Sequence, residues 1–288
     1  MRTIDIRQVD AFSRSPFEGN PAGVVTRAEG LTDREMQLIA KEMNCSETAF
    51  VLPSTKAELR LRYFTPAQEV ALCGHATIAT LQALREEGRA PGPLAAETNV
   101  GVLTLEVGED AHFMRQDTPR FRTWDGDDAV LADLLGLAAG DLDPELAIGI
   151  AYTGLWDLLV PVRSLAALQR AQPDPRRLGE HNRGIGVVST HLYCRETLLA
   201  GSALHTRDFS PAAGVPEDPH TGTASGALGA YLVHVGALPA GSHVFEQGWT
   251  VGRPGLIQVR VEEAGRSVQV GGTAVTVLEG HLRLPEPA

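Results

Sequence analysis

The sequence predicts an α/β (α+β) protein of two similar lobes, each a curved, mostly antiparallel sheet wrapped around one central helix. Three observations lead to this prediction. A motif recurs in the second half of the chain, strand-like alternation of apolar and polar residues follows each copy, and two helical segments are rich in small residues. The length of 288 residues suits two domains of ordinary size better than one.

The recurring motif reads FTPAQEV at 64–70 and FSPAAGV at 209–215, an offset of 209 − 64 = 145. Strand-like segments follow at 101–107 (GVLTLEV) and 255–261 (GLIQVRV), with an offset of 255 − 101 = 154. Because the two offsets differ only by a modest insertion, the two halves are predicted to share one order of elements.

An acidic stretch at 120–144 lies between the two copies and contains both proline and glycine, which is typical of a connection. One short helix is predicted inside it, at 129–135. The predicted domains are an N-terminal lobe at 1–120 and a C-terminal lobe at 121–288. The active site is expected in the cleft between them, because equivalent loops of duplicated halves usually converge there.

The other elements follow from periodicity. The segment at 31–43 (LTDREMQLIAKEM) is predicted to be a helix, because Thr and Glu stand at capping-box spacing ahead of apolar residues at helical intervals. The segment at 58–65 alternates like a strand. Helices are predicted at about 75–87 and 222–235, where many alanines and other small residues suit burial inside a curved sheet.

Charge and composition exclude several classes of function. Lys and Arg number 25 against 36 Asp and Glu, and the net charge of −11 repels nucleic acid and anionic membranes. The N-terminus lacks a signal-peptide pattern and no apolar stretch reaches membrane-spanning length, so a cytoplasmic protein is expected. The three cysteines are widely spaced without CxxC, which predicts free thiols and neither a disulfide nor a metal site.

The chemistry is expected on the two loops that open the small-residue helices. The first backbone N–H groups of a helix have no internal partner, and each contact contributes roughly 0.3–1 kcal/mol to holding an anion. Small residues let that backbone approach a ligand, so a small carboxylate substrate is predicted. For either loop alone, a glycine that only relieves strain is an equally good explanation. The residues expected to contact the substrate on these loops are Gly74, Ala76, Gly222, Thr223 and Ala224.

Polar side chains on or ahead of these loops could transfer protons. Glu47 precedes an apolar strand, His75 lies on the first loop and Asp218 on the second. Each also has an ordinary explanation, as a surface carboxylate, a hydrogen-bonded histidine or a helix cap. Cys73 and Asn20 are also expected to contact the substrate, although Cys73 fits a small buried hydrophobe better than a nucleophile and Asn20 could instead form a turn between strands.

Five long segments carry a resemblance to a known family. They are VDAFSRSPFEGNPAGVV at 9–25, SETAFV at 46–51, LRYFTPAQEVALCGHATIAT at 61–80, FSPAAGVPEDPHTGTASGALGAYL at 209–232 and VGGTAVTVLEG at 270–280. In these segments the chain resembles the PhzF family of phenazine-biosynthesis-like isomerases, nearly end to end. The resemblance implies the diaminopimelate epimerase-like fold, catalysis without any cofactor and, by default, a homodimer.

The resemblance also implies roles for individual residues. In the phenazine enzyme one glutamate moves a proton between ring carbons of a dihydroxy-cyclohexadiene carboxylate, and the matching position is Glu47. The implied helpers are His75, Asp218 and a serine whose place is taken in this chain by Thr223. Threonine keeps the hydroxyl and adds a methyl group, so the pocket is expected to be narrower and the substrate to differ.

The leading prediction is therefore an isomerase that shifts a proton on a small carboxylate-bearing metabolite. A racemase or epimerase of amino or hydroxy acids would instead use Cys73 as one acid/base and Glu47 or Asp218 as the other, although the second loop contains no cysteine. A dehydratase would use the same base with Thr223 as donor. A protein of this fold that binds a metabolite or partner without turnover is the third alternative.

Overall fold

The computed structural model describes residues 1–90, 92–262 and 265–285. The chain forms two compact units, which we call the lobes. The first lobe is Met1–Arg115 with Gly271–Ala288, and the second is Gln116–Val270. These units differ from the predicted lobes at 1–120 and 121–288, because the last strand of the chain pairs with the first strand along its whole length.

The strands and helices follow one another along the chain in this order: β1 (Arg2–Ala11), β2 (Asn20–Val25), α1 (Asp33–Met43), β3 (Glu47–Leu52), β4 (Leu59–Phe64), β5 (Glu69–Val70), α2 (Gly74–Glu86), β6 (Leu94–Thr98), β7 (Gly101–Val107), β8 (His112–Arg115), β9 (Arg120–Thr123), α3 (Asp128–Leu134), β10 (Gly149–Tyr152), β11 (Trp156–Pro161), α4 (Leu165–Arg170), α5 (Pro175–Ile185), β12 (Ser189–Cys194), β13 (Leu204–Ser210), β14 (Val215–Asp218), α6 (Gly222–His234), β15 (Gly241–Gln247), β16 (Gly255–Val261), β17 (Val268–Gly272) and β18 (Ala274–Leu284). Short 3-10 turns lie at Ala139–Asp141, Pro211–Ala213 and Trp249–Val251.

The first lobe is a mostly antiparallel sheet. Strand β1 pairs with β18 and β2, and β3 pairs with β4, all antiparallel. Two strand pairs are parallel, β2 with β3 and β4 with β6. Helix α2 packs against β1, β2, β8 and β18, and most of its residues are buried.

The second lobe repeats this pairing pattern. Strand β10 is antiparallel to β11, β11 is parallel to β12, β12 is antiparallel to β13, and β13 is parallel to β15. Helix α6 packs against β10, β11 and β16, as α2 does in its own lobe. The duplication predicted from the recurring motif is confirmed, and so is the central small-residue helix in each lobe.

Local sequence explains most of the helix boundaries. Helix α1 carries the predicted capping box, in which Thr32 and Glu35 satisfy each other's backbone N–H groups. Strands β7 and β16 coincide with the predicted segments, and α3 lies within one residue of the predicted linker helix. Helices α4 and α5 were not predicted, because α5 (PRRLGEHNRGI) is mostly polar and buries only one narrow face.

The buried residues include all three cysteines, which are reduced thiols as predicted. On the outer side of the first sheet, Met36 and Ile39 of α1 pack against Phe50 and Phe64. No helix in the described part of the chain has both the length and the apolar composition needed to cross a membrane.

Candidate active site

The first lobe brings three of the predicted site residues into contact. Glu47 is the first residue of β3, and its Oε2 lies 3.2 Å from Nε2 of His75, the second residue of α2. The sulfur of Cys73 lies 3.4 Å from Nδ1 of the same imidazole. The His75 side chain is only 8% exposed, whereas Glu47 is 19% exposed. The carboxylate is therefore the member of this cluster that a ligand can reach.

The position of Glu47 follows from the chain on both sides of it. Helix α1 ends at Asn44, which adopts the left-handed conformation (φ 51°) that asparagine tolerates, and the chain turns directly into β3. The parallel pairing of β2 with β3 places Ala22 opposite Glu47. The neighbouring Ser46 contributes its Oγ, 3.2 Å from His75 Nε2. Glu47 is thus held at the end of a buried strand.

A buried hydrogen-bond chain fixes the start of α2. The Thr77 hydroxyl donates to the carbonyl of Cys73, at 2.7 Å. Because that hydroxyl has only one proton, the Tyr63 hydroxyl, 2.7 Å from Thr77 Oγ1, must be the donor in the second bond. Burial raises the pKa of Tyr63, which keeps this donor protonated. The backbone that carries Cys73 and His75 is consequently rigid.

The burial of His75 decides its charge. Loss of solvent lowers the pKa of the imidazole, and the nearby Glu47 opposes this effect without overcoming it. Ser46 Oγ, which is the hydrogen-bond partner of Nε2, and Glu47 Oε2 both lie 3.2 Å from that nitrogen. His75 is in this arrangement a neutral imidazole, packed between the Cys73 sulfur and the Glu47 carboxylate.

The two central helices begin differently from the other α-helices of the described chain. Helices α2 and α6 have no side-chain cap and no acidic residue in their first turn. Each of the others has a side-chain oxygen that accepts from its first-turn N–H groups. These capping residues are Thr32, Asp127, Ser164 and Asp174. The first-turn N–H groups of α2 and α6 are therefore left without a side-chain cap, as a bound anion requires.

In the second lobe, Asp218 ends β14 and lies opposite Asp208 of β13. Its Oδ2 accepts a hydrogen bond from Thr221 Oγ1 at 2.7 Å. Thr221 is the residue before the first turn of α6, and Gly222 is the first helical residue. The Gly222 carbonyl accepts from Gln116 Nε2 at 3.1 Å. Asp218 and the helix start are thus tied together.

The remaining predicted residues differ in burial. Ala76 and Ala224 are fully buried, backbone included. Thr223 is half-buried, and its carbonyl accepts from Thr153 Oγ1 at 3.1 Å. Asn20 is buried and opens β2, so it is a strand residue rather than part of a turn. Within each lobe the predicted residues lie at strand ends and helix starts.

Sequence reasoning missed the residues that support the site. Tyr63, Thr77 and Ser46 hold the first lobe's cluster, and Gln247 contacts the loop of Asp218 in the second lobe. Ser46 adjoins Glu47 in the chain and Thr77 follows His75, so proximity could have indicated both. Gln247 is distant in sequence, and nothing local marks it.

The atoms of Glu47, Cys73 and His75 that could bind a metal lie within 4.8 Å of one another. The Cys73 sulfur is 3.4 Å from Nδ1 and 3.8 Å from Nε2, so it lies beside the ring and not in line with either lone pair. A metal bonded to a ring nitrogen would lie along that lone pair, and a zinc–sulfur bond measures about 2.3 Å. Cys73 would have to rotate to join the same ion.

Comparisons with known proteins place the chain in one family. A family model described as phenazine biosynthesis-like protein matches residues 9–280. An uncharacterized isomerase of Bacillus subtilis is 39% identical over 284 residues, covering 96% of this chain and 97% of the relative. Trans-2,3-dihydro-3-hydroxyanthranilate isomerase of Pseudomonas chlororaphis is 35% identical over 294 residues, covering 96% and 98%.

Solved structures show the same fold. The PhzF-family phenazine biosynthesis protein of Bacillus anthracis has a TM-score of 0.91 at 39% identity, with 99% of this chain and 100% of that chain covered. A hydroxyproline epimerase of Agrobacterium vitis has a TM-score of 0.65 at 18% identity, covering 99% of this chain and 94% of that one, and shares the fold.

Proposed function

Because the chain belongs to the family of phenazine biosynthesis-like proteins, we propose that it moves a proton from one carbon to another in a small carboxylate-bearing metabolite. The relatives are named isomerases, and the chain is an enzyme of that class. Beyond this class, we propose that the mechanism is general acid–base catalysis and that Glu47 is the residue that performs it. No electrons leave the substrate in such a shift, so the reaction requires no redox cofactor.

The observation that carries the proposal is the pair of Glu47 and His75 beside an uncapped helix start. Glu47 Oε2 lies 3.2 Å from His75 Nε2, and both side chains adjoin the first turn of α2. A base that is partly exposed and held in one orientation can remove a proton from a bound carbon acid. The N–H groups of the helix start can hold the substrate carboxylate and the negative charge that develops on it.

Glu47 alone can both remove the proton and return it. The carboxylate takes a proton from one carbon, and the electrons of that C–H bond enter the conjugated system of the substrate. The protonated Glu47 then returns the proton to a second carbon, which restores the carboxylate. His75, whose Nε2 lies 3.2 Å from Glu47 Oε2, is proposed to keep the carboxylate in place in both steps. Asp218 and Thr223, carried over from the family resemblance, are proposed to hydrogen-bond the substrate.

The relatives and the helix starts support a proposal for the substrate class. The Pseudomonas chlororaphis relative is named for trans-2,3-dihydro-3-hydroxyanthranilate. We propose a cyclic, unsaturated carboxylic acid for this chain, because such an acid spreads the charge left by proton removal. Thr223 adds a methyl group where the resemblance implies a serine, and this change favours a substrate of somewhat different shape.

A second candidate function is supported by one contact, that of the Cys73 thiol with His75 Nδ1. In a racemase or epimerase, Cys73 would serve as one of two acid/base groups. The equivalent position before α6 is Thr221, so the second lobe offers no matching thiol. The proton-shifting isomerase is therefore the better supported function.

The test is deuterium uptake. Wild-type protein is incubated in D₂O with a panel of unsaturated, cyclic and amino carboxylic acids, and NMR locates the label. Transfer of label with movement of a double bond supports the isomerase, whereas label at one stereocentre with loss of optical purity supports the epimerase. Tight binding of an acid with no label in any compound supports a binding protein instead.

A further inference from the structure

We propose that Gln247 is a positioning residue, which aims the Asp218 carboxylate by fixing the hydroxyl of Thr221. The inference rests on the proposed function, in which Asp218 holds the substrate. It assigns to a buried glutamine, far from Asp218 in sequence, control over the orientation of a residue at the site.

The side-chain amide of Gln247 contacts both ends of the Asp218 loop. Its Nε2 donates to the Asp218 carbonyl at 2.9 Å and to Thr221 Oγ1 at 3.3 Å. Its Oε1 accepts the backbone N–H of Thr221 at 3.2 Å. Gln247 is only 1% exposed, so water cannot replace these bonds. The Gln247 side chain thus hydrogen-bonds both the Asp218 carbonyl and the Thr221 N–H of this loop.

Counting protons shows why the contact directs Asp218. One N–H of Gln247 is used on the Asp218 carbonyl, and the other points at Thr221 Oγ1. Thr221 Oγ1 therefore accepts from Gln247, and its single proton is directed to Asp218 Oδ2 at 2.7 Å. Without the donor from Gln247, the Thr221 hydroxyl could rotate away from Asp218 Oδ2, and this hydrogen bond to the Asp218 side chain would be lost.

The fold holds Gln247 in this place. It ends β15, whose residues Phe245 and Glu246 pair in parallel with β13. The next residue, Gly248, has φ +95°, and an added Cβ there would overlap the Arg253 carbonyl oxygen. The end of β15 is therefore rigid, and Gln247 has little freedom to move away from the loop.

The first lobe uses a different residue at the equivalent position. The pairing of Arg60 with Glu97 in that lobe matches the pairing of His205 with Glu246, so Thr98 corresponds to Gln247. Thr98 donates within its own hairpin, to the carbonyl of Gly101. The contacts of the Gln247 side-chain amide are thus specific to the lobe that carries Asp218 and are not a general requirement of the duplicated fold.

A neighbouring anchor on the same loop provides a matched control. Glu217, the residue before Asp218, is held by Arg207 and by Thr250, whose hydroxyl donates to Glu217 Oε1 at 2.7 Å. Thr250→Val removes a hydrogen bond to the loop and leaves the contacts of Asp218 in place. If only loop stability mattered, Thr250→Val and the Gln247 variants would behave alike.

The experiment compares Gln247→Met, Gln247→Glu and Thr250→Val with wild type, by crystal structure and by the rate of deuterium transfer. Gln247→Glu keeps an oxygen for the Thr221 N–H and loses both N–H donors, whereas Gln247→Met removes all polar atoms of the side chain; urea unfolding shows which variant folds, and either one serves for the comparison. We expect both Gln247 variants to lose the contact of Thr221 Oγ1 with Asp218 Oδ2. Their transfer rate should fall about tenfold or more, since displacement by about 1 Å can cost up to 10²-fold.

A double variant separates positioning from general damage. In an Asp218→Asn background, Gln247→Glu should cause little further loss of rate, because the residue it positions is already changed. A full additional loss would overturn the inference, as would an unchanged contact and rate in both Gln247 variants. If the wild type transfers no deuterium, the proposed function fails, and the crystal structures alone then decide whether Gln247 positions Asp218.

Discussion

The substitution Gly74→Ala separates what the fold needs from what a ligand needs. Gly74 is the first residue of α2, and an added Cβ would meet only Met114 Sδ, at an ordinary 3.8 Å. Alanine is also preferred to glycine in a helix interior, by roughly 0.8–1 kcal/mol, and gains less at the first turn. The free energy of unfolding is therefore expected to stay equal to wild type or to rise slightly.

Activity should respond differently. The methyl group would stand beside the first N–H groups of α2, where each charge–dipole contact with an anion contributes about 0.3–1 kcal/mol. Displacement of a bound carboxylate by about 1 Å can cost up to 10²-fold in rate. We expect kcat/KM for deuterium transfer to fall about 10- to 100-fold, which corresponds to roughly 1.4–2.7 kcal/mol.

The assay pairs urea unfolding with deuterium transfer on the same preparation. Gly184→Ala is the matched control, because Gly184 lies in α5 and an added Cβ there meets no atom within 4 Å. That variant should gain up to about 1 kcal/mol of stability and keep full activity. Wild-type kcat/KM in Gly74→Ala would refute the assignment of the α2 start to the ligand, and a large loss of stability would make Gly74 a structural residue.

Three further predictions concern packing, pH and the alternative mechanism. Gly226→Ala should destabilise by about 1–3 kcal/mol in urea unfolding, because its Cβ would overlap the Gln116 side chain and stand 2.8 Å from Cγ2 of the buried Val270; an unchanged midpoint would contradict this. Burial lowers the pKa of His75, and it lowers the pKa of His112 to about 4. Below pH 6.5 the folded state therefore binds fewer protons than the unfolded state, and the free energy of unfolding should decrease as the pH is lowered. For His112 the loss between pH 7 and 5 is about 2 kcal/mol, and His112→Gln should flatten the profile of urea midpoint against pH. Cys73→Ala should retain most deuterium transfer, and complete loss of transfer would favour the epimerase.

The parts of the fold that local sequence determines could be predicted. Helix α1 has its capping box, β7 and β16 alternate along their whole length, and the recurring motif revealed the duplication. The pairing of β18 with β1 could not be predicted, because it joins the two ends of the chain and no local pattern records it. Helix α5 was missed because its stability comes from packing and caps more than from apolar periodicity.

The same distinction applies to the site. Glu47, His75 and Asp218 stand beside turn and helix-start signals, so their types and spacing marked them as candidates. The contact of Glu47 with His75 depends on where β3 and α2 meet, which the sequence does not state. Gln247 lies 29 positions after Asp218, and a glutamine at a strand end carries no signal of its own. A side chain that positions another from a distant part of the chain is recognised only from coordinates.

The most direct measurement is the rate of deuterium transfer by Glu47→Gln on a compound that the wild type labels. Glutamine has nearly the same size and shape as glutamate and adds no charge beside His75, so the variant should fold and bind as wild type does. Glu42→Gln, at an exposed position near the end of α1, serves as the control. Because glutamine cannot take up a proton from carbon, the rate should fall by about 10²–10⁴ while the control stays at wild type. Transfer by Glu47→Gln at the wild-type rate would contradict the assignment of Glu47 as the group that moves the proton.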